Sequence, residues 1–233
     1  MTAERLLSPK LGNTRVTGKE QFYTPSDLAR DLVDYVEQTL GSISGRTILE
    51  PAGGTGSFIE AVKSRDAKKV ISFDIEPLFD EVLLGDFLEQ QVIETGLITI
   101  SNPPFGRNNS LSIPFFNHAA KFSDAICFIV PRSWRKWSVT NRLDLNFELV
   151  FDKDLDIDYV DADGDLISEK NRLATCFQIW KRTDSQRSPV RVKDMSVVEK
   201  VSPELADVSL TVFGYGCGKV REKFERVPNT TQL

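Results

Sequence analysis

Arg46-Thr47-Ile48-Leu49-Glu50-Pro51-Ala52-Gly53-Gly54-Thr55-Gly56-Ser57-Phe58 is the stretch that decides the fold. Thr47 to Leu49 is a short apolar run that reads as a buried strand. Glycines 53, 54 and 56 then make a turn that few other residues could follow, and a helix is expected from Phe58 to about Lys63. Strand, glycine turn and helix is the arrangement by which an open α/β sheet brings its backbone close to a nucleotide. The acid at the strand's end narrows the ligand further. A carboxylate there repels a dinucleotide pyrophosphate and attracts a cationic group.

Working outward from this turn, further strand ends carry similar signals. Lys69-Val-Ile-Ser-Phe73-Asp74 reads as a second strand ending in an acid, one helix and one strand after Glu50. An acid at that place accepts the hydroxyls of a bound ribose. Ile75, Glu76 and Pro77 turn the chain, and Gly85-Asp86-Phe87 follows. Leu97 to Ile100 is another buried strand, stopped by Ser101-Asn102-Pro103-Pro104-Phe105-Gly106. Two prolines cannot continue a ladder, so a stiff loop stands at a strand's carboxyl end, where such sheets bind ligands. The Asn102 oxygen and the Pro103 carbonyl can each accept a hydrogen of one planar amino group, while Phe105 lies against the flat ring. Upstream, Gln21-Phe22-Tyr23-Thr24-Pro25 leads into a helix from Ser26, capped by Ser26 or Thr24 and ended by Gly41.

In this order the motifs resemble the adenine-N6 methyltransferases that use S-adenosylmethionine, with Asn-Pro-Pro-Phe at the catalytic position and the cofactor motifs first, as in the gamma group. Residues 20–182 carry the resemblance, and Gly214 to Val220 is similar to a Gly-x-x-x-Gly-Lys-Val segment of short phage and bacterial members. The resemblance implies a Rossmann-like α/β domain with a mostly parallel seven-stranded sheet whose last strand is antiparallel. It implies S-adenosylmethionine as cofactor, with Gln21, Tyr23 and Thr24 over its methionine end. Glu50, Pro51, Ala52, Gly54 and Gly56 would cradle it, Asp74 and Ile75 would meet the ribose, and Asp86 and Phe87 the adenine. Asn102 would face cofactor and substrate alike, with Pro103, Pro104 and Phe105 completing the catalytic set. Ala52 stands where the family's first glycine does. The family's second aromatic clamp, shortly before the last strand, has no counterpart around Asp165 to Arg172, so Trp134 or Trp137 would have to substitute.

The whole chain sets the bounds. Its 233 residues, 40% apolar, suit one sizeable domain with an appendage. The expected division is a mobile lead-in over 1–20, the methyltransferase domain over 21–182, and a linker with a C-terminal appendage over 183–233. The net charge of −5 opposes a nucleic-acid partner. However, a run of acids between Asp152 and Glu169 accounts for it and leaves room for a basic face. Arg132, Trp134, Arg135, Lys136 and Trp137 interleave cations with indoles: either an amphipathic helix packed on the sheet, or a loop facing nucleic acid. Lys219 is the further candidate contact. Asp161 to Asp165 fails the calcium-loop register and reads as a hairpin after a strand over Leu155 to Val160. His118 is the sole histidine, and Cys127, Cys176 and Cys217 form no Cys-x-x-Cys. No metal is expected. With no apolar leader and no membrane-length run, an intracellular, cytoplasmic location is expected. DNA is the expected partner, with RNA the alternative, no membrane, and a recognition or partner subunit to supplement the short tail. Other readings are a release-factor glutamine methyltransferase, which shares Asn-Pro-Pro, and a non-catalytic binding subunit of the same fold.

Overall fold

The structure, a computed structural model, describes residues 22–157, 174–212, 216–222 and 230–232. The chain divides into two compact units, up to Val190 and from Arg191. In the first, helices α1 (Ser26–Leu40), α2 (Ser57–Lys63), α3 (Ser112–Ala119) and α4 (Trp137–Thr140) accompany seven strands. The strands are β1 (Thr47–Glu50), β2 (Lys69–Asp74), β3 (Leu83–Leu84), β4 (Leu97–Ser101), β5 (Ser123–Pro131), β6 (Phe147–Leu155) and β7 (Thr175–Arg182). They form one sheet in the order β3-β2-β1-β4-β5-β7-β6. The pairs from β3 to β5 are parallel, and β7 runs antiparallel to both β5 and β6. The expected α/β architecture of seven mostly parallel strands is therefore present.

Both faces of the sheet are covered, so its central strands are apolar without alternation. In β5, Ala125, Cys127 and Ile129 join a core with Leu32, Val33 and Val36 of α1 and Phe58 and Val62 of α2. Ile126, Phe128 and Val130 point the other way, into a core with Ile113 and Phe116 of α3 and Trp134. The two-residue period of the strand thus feeds two helical layers. Both buried cysteines, Cys127 and Cys176, have their thiols pushed up by burial, the latter to about 12.

Several details depart from expectation. Neither Thr24 nor Ser26 caps α1: Pro25 is the N-cap, with no side-chain bond, and its carbonyl accepts from Ala29 N at 3.0 Å. Gly41 does end the helix, at φ 87°. The strand foreseen at Leu155 to Val160 lies earlier, at β6, and the acids from Asp158 to Glu169 fall outside the described residues. Residues 183–189, foreseen as a linker, are tied to the first unit. Arg187 donates to the carbonyls of Phe147 (2.9 Å), Thr140 and Leu143, and Thr183 N donates to Asn146 O. The second unit contains a three-stranded sheet of β8 (Ser209–Thr211), β9 (Val220–Arg221) and β10 (Thr230–Gln232), with β8 central. Among the described residues no helix is long and apolar enough to cross a membrane.

Candidate active site

A cleft of about 360 Å³ opens at the carboxyl ends of the parallel strands. Its wall includes Tyr23, Pro51, Ala52, Gly54, Asp74, Ile75, Asp86, Phe87 and Asn102 through Phe105. The motifs that the sequence marked separately are thus gathered in one place. The crossovers between parallel strands explain this, since every loop that follows a strand emerges on the same edge. Phe22, Glu76, Gly85, Leu88, Leu111 and Phe115 also line the cleft and were not foreseen. Leu111 and Phe115 read in the sequence as ordinary apolar residues at the start of α3, and Phe22 acts through its backbone.

The turn after β1 is built around Glu50. Its Oε1 accepts from Ala52 N at 3.1 Å and from Ser101 Oγ at 2.5 Å. One buried carboxylate thereby braces the glycine turn against the end of β4. Oε2 is buried with no hydrogen-bond partner. Burial pushes the Glu50 carboxyl well above the usual carboxylate range, more than the bonds from Ser101 and Ala52 pull it down. Glu50 is only 2% exposed and is not itself on the cleft wall, where Pro51 and Ala52 stand instead. Gly54 must be glycine: at φ 44° its Cβ would lie 2.9 Å from the Tyr23 ring. Gly56 serves packing rather than the wall, with the Phe79 ring 2.5 Å from where its Cβ would be. Thr24 is likewise buried and off the wall, and Gln21 lies outside the described residues.

Asp74 ends β2 with Oδ2 accepting from Gly54 N and Oδ1 from Glu76 N, both at 2.9 Å. The Ile75 amide donates to the same carboxylate, which leaves it one acceptor position for a ligand. Burial raises the Asp74 carboxyl, and burial with Asp74 beside it raises the Tyr23 hydroxyl. Asp86 accepts from Leu88 N at 2.9 Å, and Phe87 is buried between Phe73 and Phe115, with His118 edge-on. A cofactor with a cationic end and a ribose fits these groups. The Glu50 carboxyl, with one oxygen unpartnered, lies behind Pro51 and Ala52 and favours a cation on that wall, Gly54 clears the floor, and Asp74 keeps an acceptor position.

The loop after β4 is fixed from the opposite side. Asn102 Nδ2 donates to Phe22 O at 3.0 Å. Since a carbonyl can only accept, the amide nitrogen faces Phe22 and Oδ1 is turned the other way, free to accept. The segment before α1 therefore holds both the glycine turn, through Tyr23, and the asparagine, through Phe22. Phe105 lines the cleft but is 3% exposed and belongs to the core, so little of its ring is open to a ligand.

The expected substrate contacts divide. Trp134 is buried, donates Nε1 to Ser112 Oγ at 3.2 Å and packs on Phe116, so it can neither stack on a base nor substitute for the missing clamp. Arg135 pairs with Asp152 and Asp154, and Arg132 with Asp154. These cations are already answered across the β6 edge, and the interleaved stretch is for the most part a packed turn. Lys136 is exposed, and Trp137 is 49% exposed. Lys219 is exposed on a turn of the second unit with Gly216 and Gly218 at φ 80° and 85°.

No protein-family model matches the sequence. The chain is 31% identical over 94 residues to type II methyltransferase M.CvrRI of Paramecium bursaria Chlorella virus XZ-6E. That match spans 36% of the chain and only 24% of the viral enzyme. In structure it is similar to PH1948 of Pyrococcus horikoshii, provisionally described as an RNA methyltransferase (TM-score 0.56, 22% identity, covering 72% of this chain and 88% of that one). It is also similar to a Listeria monocytogenes protein provisionally described as a class I S-adenosylmethionine-dependent methyltransferase (TM-score 0.54, 14% identity, covering 76% and 65%). A third likeness is to a modification subunit of a provisionally described type I restriction enzyme from Vibrio vulnificus YJ016 (TM-score 0.51, 16% identity, covering 70% and 45%). These likenesses show the fold, and the chain is a protein of the class I methyltransferase fold.

Proposed function

We propose that this chain is an S-adenosylmethionine-dependent methyltransferase acting on the exocyclic N6 amine of adenine in a polynucleotide, DNA in preference to RNA. The observation that carries the reading is the Asn102 amide. Its nitrogen donates to Phe22 O at 3.0 Å, which leaves its oxygen to accept from a ligand in a cleft that Asn102 and Pro103 both line. Two acceptors in fixed places are what an amino group needs. The adenine amine is a poor nucleophile because its lone pair is delocalised into the ring. Asn102 and Pro103, each accepting one of its hydrogens, favour a pyramidal nitrogen whose lone pair is free to attack. When bound, S-adenosylmethionine supplies an electrophilic methyl on a sulfonium. Glu50, Gly54, Asp74 and Asp86 are the residues to hold it, and the chain's own contribution is placement and electrostatics. A base within a duplex must first leave the stack. The similarity to a type II methyltransferase and a restriction modification subunit supports DNA over RNA.

Asn102→Ala tests the reading. The bond from Asn102 oxygen strengthens as the nitrogen pyramidalises, so its loss falls on turnover more than on binding. Cofactor affinity by calorimetry should be retained, and single-turnover methylation of an adenine-containing strand should fall about 100-fold or more. The same assay on matched DNA and RNA, with the modified nucleoside identified, separates the two substrates. A variant that methylates adenine at the parental rate removes the amine-gripping role.

A further inference from the structure

The loop after Phe105 is closed and pinned. The Phe105 carbonyl accepts from the amides of Leu111 at 3.2 Å and Ser112 at 3.3 Å, which draws its two ends together. Inside it, Asn108 and Asn109 sit at φ 55° and 61°. Asparagine tolerates this left-handed region better than most residues, and such backbone persists where its surroundings over-determine it. Asn109 is buried and donates Nδ2 to Ser133 Oγ at 3.3 Å, on the turn that follows β5. The left-handed pair therefore buries one asparagine as an anchor and leaves Arg107 exposed at the loop's outer edge. Unlike Arg132 and Arg135, Arg107 has no ion pair or side-chain hydrogen bond among the described residues. Exposed Lys136 stands on the turn to which Asn109 is tied.

Charge around the cleft is uneven. Asp74, Glu76 and Asp86 follow β2 and β3, whereas Arg107 follows β4 and is tied toward β5. At the spacing of neighbouring strands this separates the acids from the arginine by roughly 10 Å or more. A polyanion reaching Asn102 meets repulsion on one side and an exposed guanidinium on a pinned loop on the other.

We propose that Arg107 grips a backbone phosphate next to the target nucleotide, with Lys136 as a second cation on the neighbouring turn, and so sets which nucleotide enters the cleft. This rests on the polynucleotide reading above. A planar guanidinium on a pinned loop suits bidentate phosphate binding, and a phosphate contact positions the chain without reading its sequence.

The test is anisotropy of fluorescein-labelled, adenine-containing single strands of several sequences, titrated from roughly 0.05 to 0.2 M salt. Arg107→Ala should bind more weakly, with the log–log salt slope shallower by about 0.7 and the loss equal on every sequence. Arg107→Lys, which keeps the charge, should keep the slope, and both variants should keep the parental affinity for S-adenosylmethionine. An Arg107→Ala slope and affinity equal to the parent's, from a parent that methylates the strand, overturn this inference alone. A loss confined to one sequence also overturns it, because Arg107 would then be reading a base. A parent that transfers methyl to no polynucleotide overturns the underlying reading and this inference together.

Discussion

Glu50 shows at the scale of one residue how the site is paid for. Its carboxyl is buried with one oxygen braced by Ala52 and Ser101 and the other without a partner. Burial raises its pKa, so at pH values between the ordinary carboxylate range and the raised value the folded chain holds a proton that the unfolded chain has released. Stability in the absence of ligand then falls as pH rises through that window, and the effect vanishes below it, where both states are protonated. Glu50→Gln keeps an acceptor for Ala52 and Ser101 but removes the charge. The variant should melt with the parent near pH 4 and above it near pH 8. A gain of about 1 kcal/mol would appear as about 2–4 °C in a domain of this size. Its affinity for S-adenosylmethionine should fall, because the charge behind Pro51 and Ala52 that favours the ligand's cationic end is gone. Melting curves whose pH dependence is the same in parent and variant would mean that the Glu50 charge is not the group under strain.

At the scale of elements, the connection from β4 to α3 carries the chemistry, and Gly106 lets it turn. Gly106 sits at φ 66°, and a Cβ there would meet Ser110 Oγ at 2.4 Å and the backbone nitrogen of Leu111 at 2.8 Å. Gly41, at φ 87°, has nothing within 4 Å of its would-be Cβ. Gly41→Ala should therefore cost about 1–3 kcal/mol, the backbone penalty alone, because φ 87° with ψ 178° is a conformation that essentially only glycine adopts. Gly106→Ala adds a clash with backbone that cannot swing aside, and should melt lower still and turn over more slowly, with cofactor affinity kept because the turn after β1 is untouched. Equal melting and equal turnover for the two variants would show that the loop relaxes freely. These elements also mark what sequence could and could not reveal. β1 and β4 were legible because a strand covered on both faces is apolar, β2 because an acid ends its run one helix and one strand after Glu50, and α1 because Leu32, Val33 and Val36 recur on one face. β6 was misplaced because it is an edge strand with most of its side chains exposed, which leaves no pattern to read. The cations around Trp134 left two readings open, packed on the sheet or facing nucleic acid, and the structure takes the first. A single turn of 3-10 helix sends Trp134 inward while Arg132 and Arg135 turn out to Asp152 and Asp154, partners that only the folded sheet brings near. Arg107 carried no signal at all, since one cation after a glycine belongs to no motif.

At the scale of the whole molecule, burial is lopsided. Every buried apolar side chain among the described residues lies at or before Trp180. The second unit buries Ser209 and Thr211 and exposes Val192, Met195, Val197, Val198 and Leu205. Its three short strands can satisfy backbone hydrogen bonds, but a hydrogen bond contributes only about 0.5–1.5 kcal/mol net, and ordering each residue costs more. A segment of this size that buries no apolar side chain among its described residues is not expected to fold alone. The first unit holds both cores, the complete sheet and every described wall of the cleft, and residues 183–190 are hydrogen-bonded into it. A chain ended after Val190 should therefore melt cooperatively within a few degrees of the full chain and bind S-adenosylmethionine with unchanged affinity. The peptide from Arg191 onward should give no cooperative transition. Calorimetry and circular dichroism on the two pieces decide this. If the shortened chain has no melting transition or has lost the cofactor, then the stability of the first unit depends on the second, and the core as described does not account for the fold.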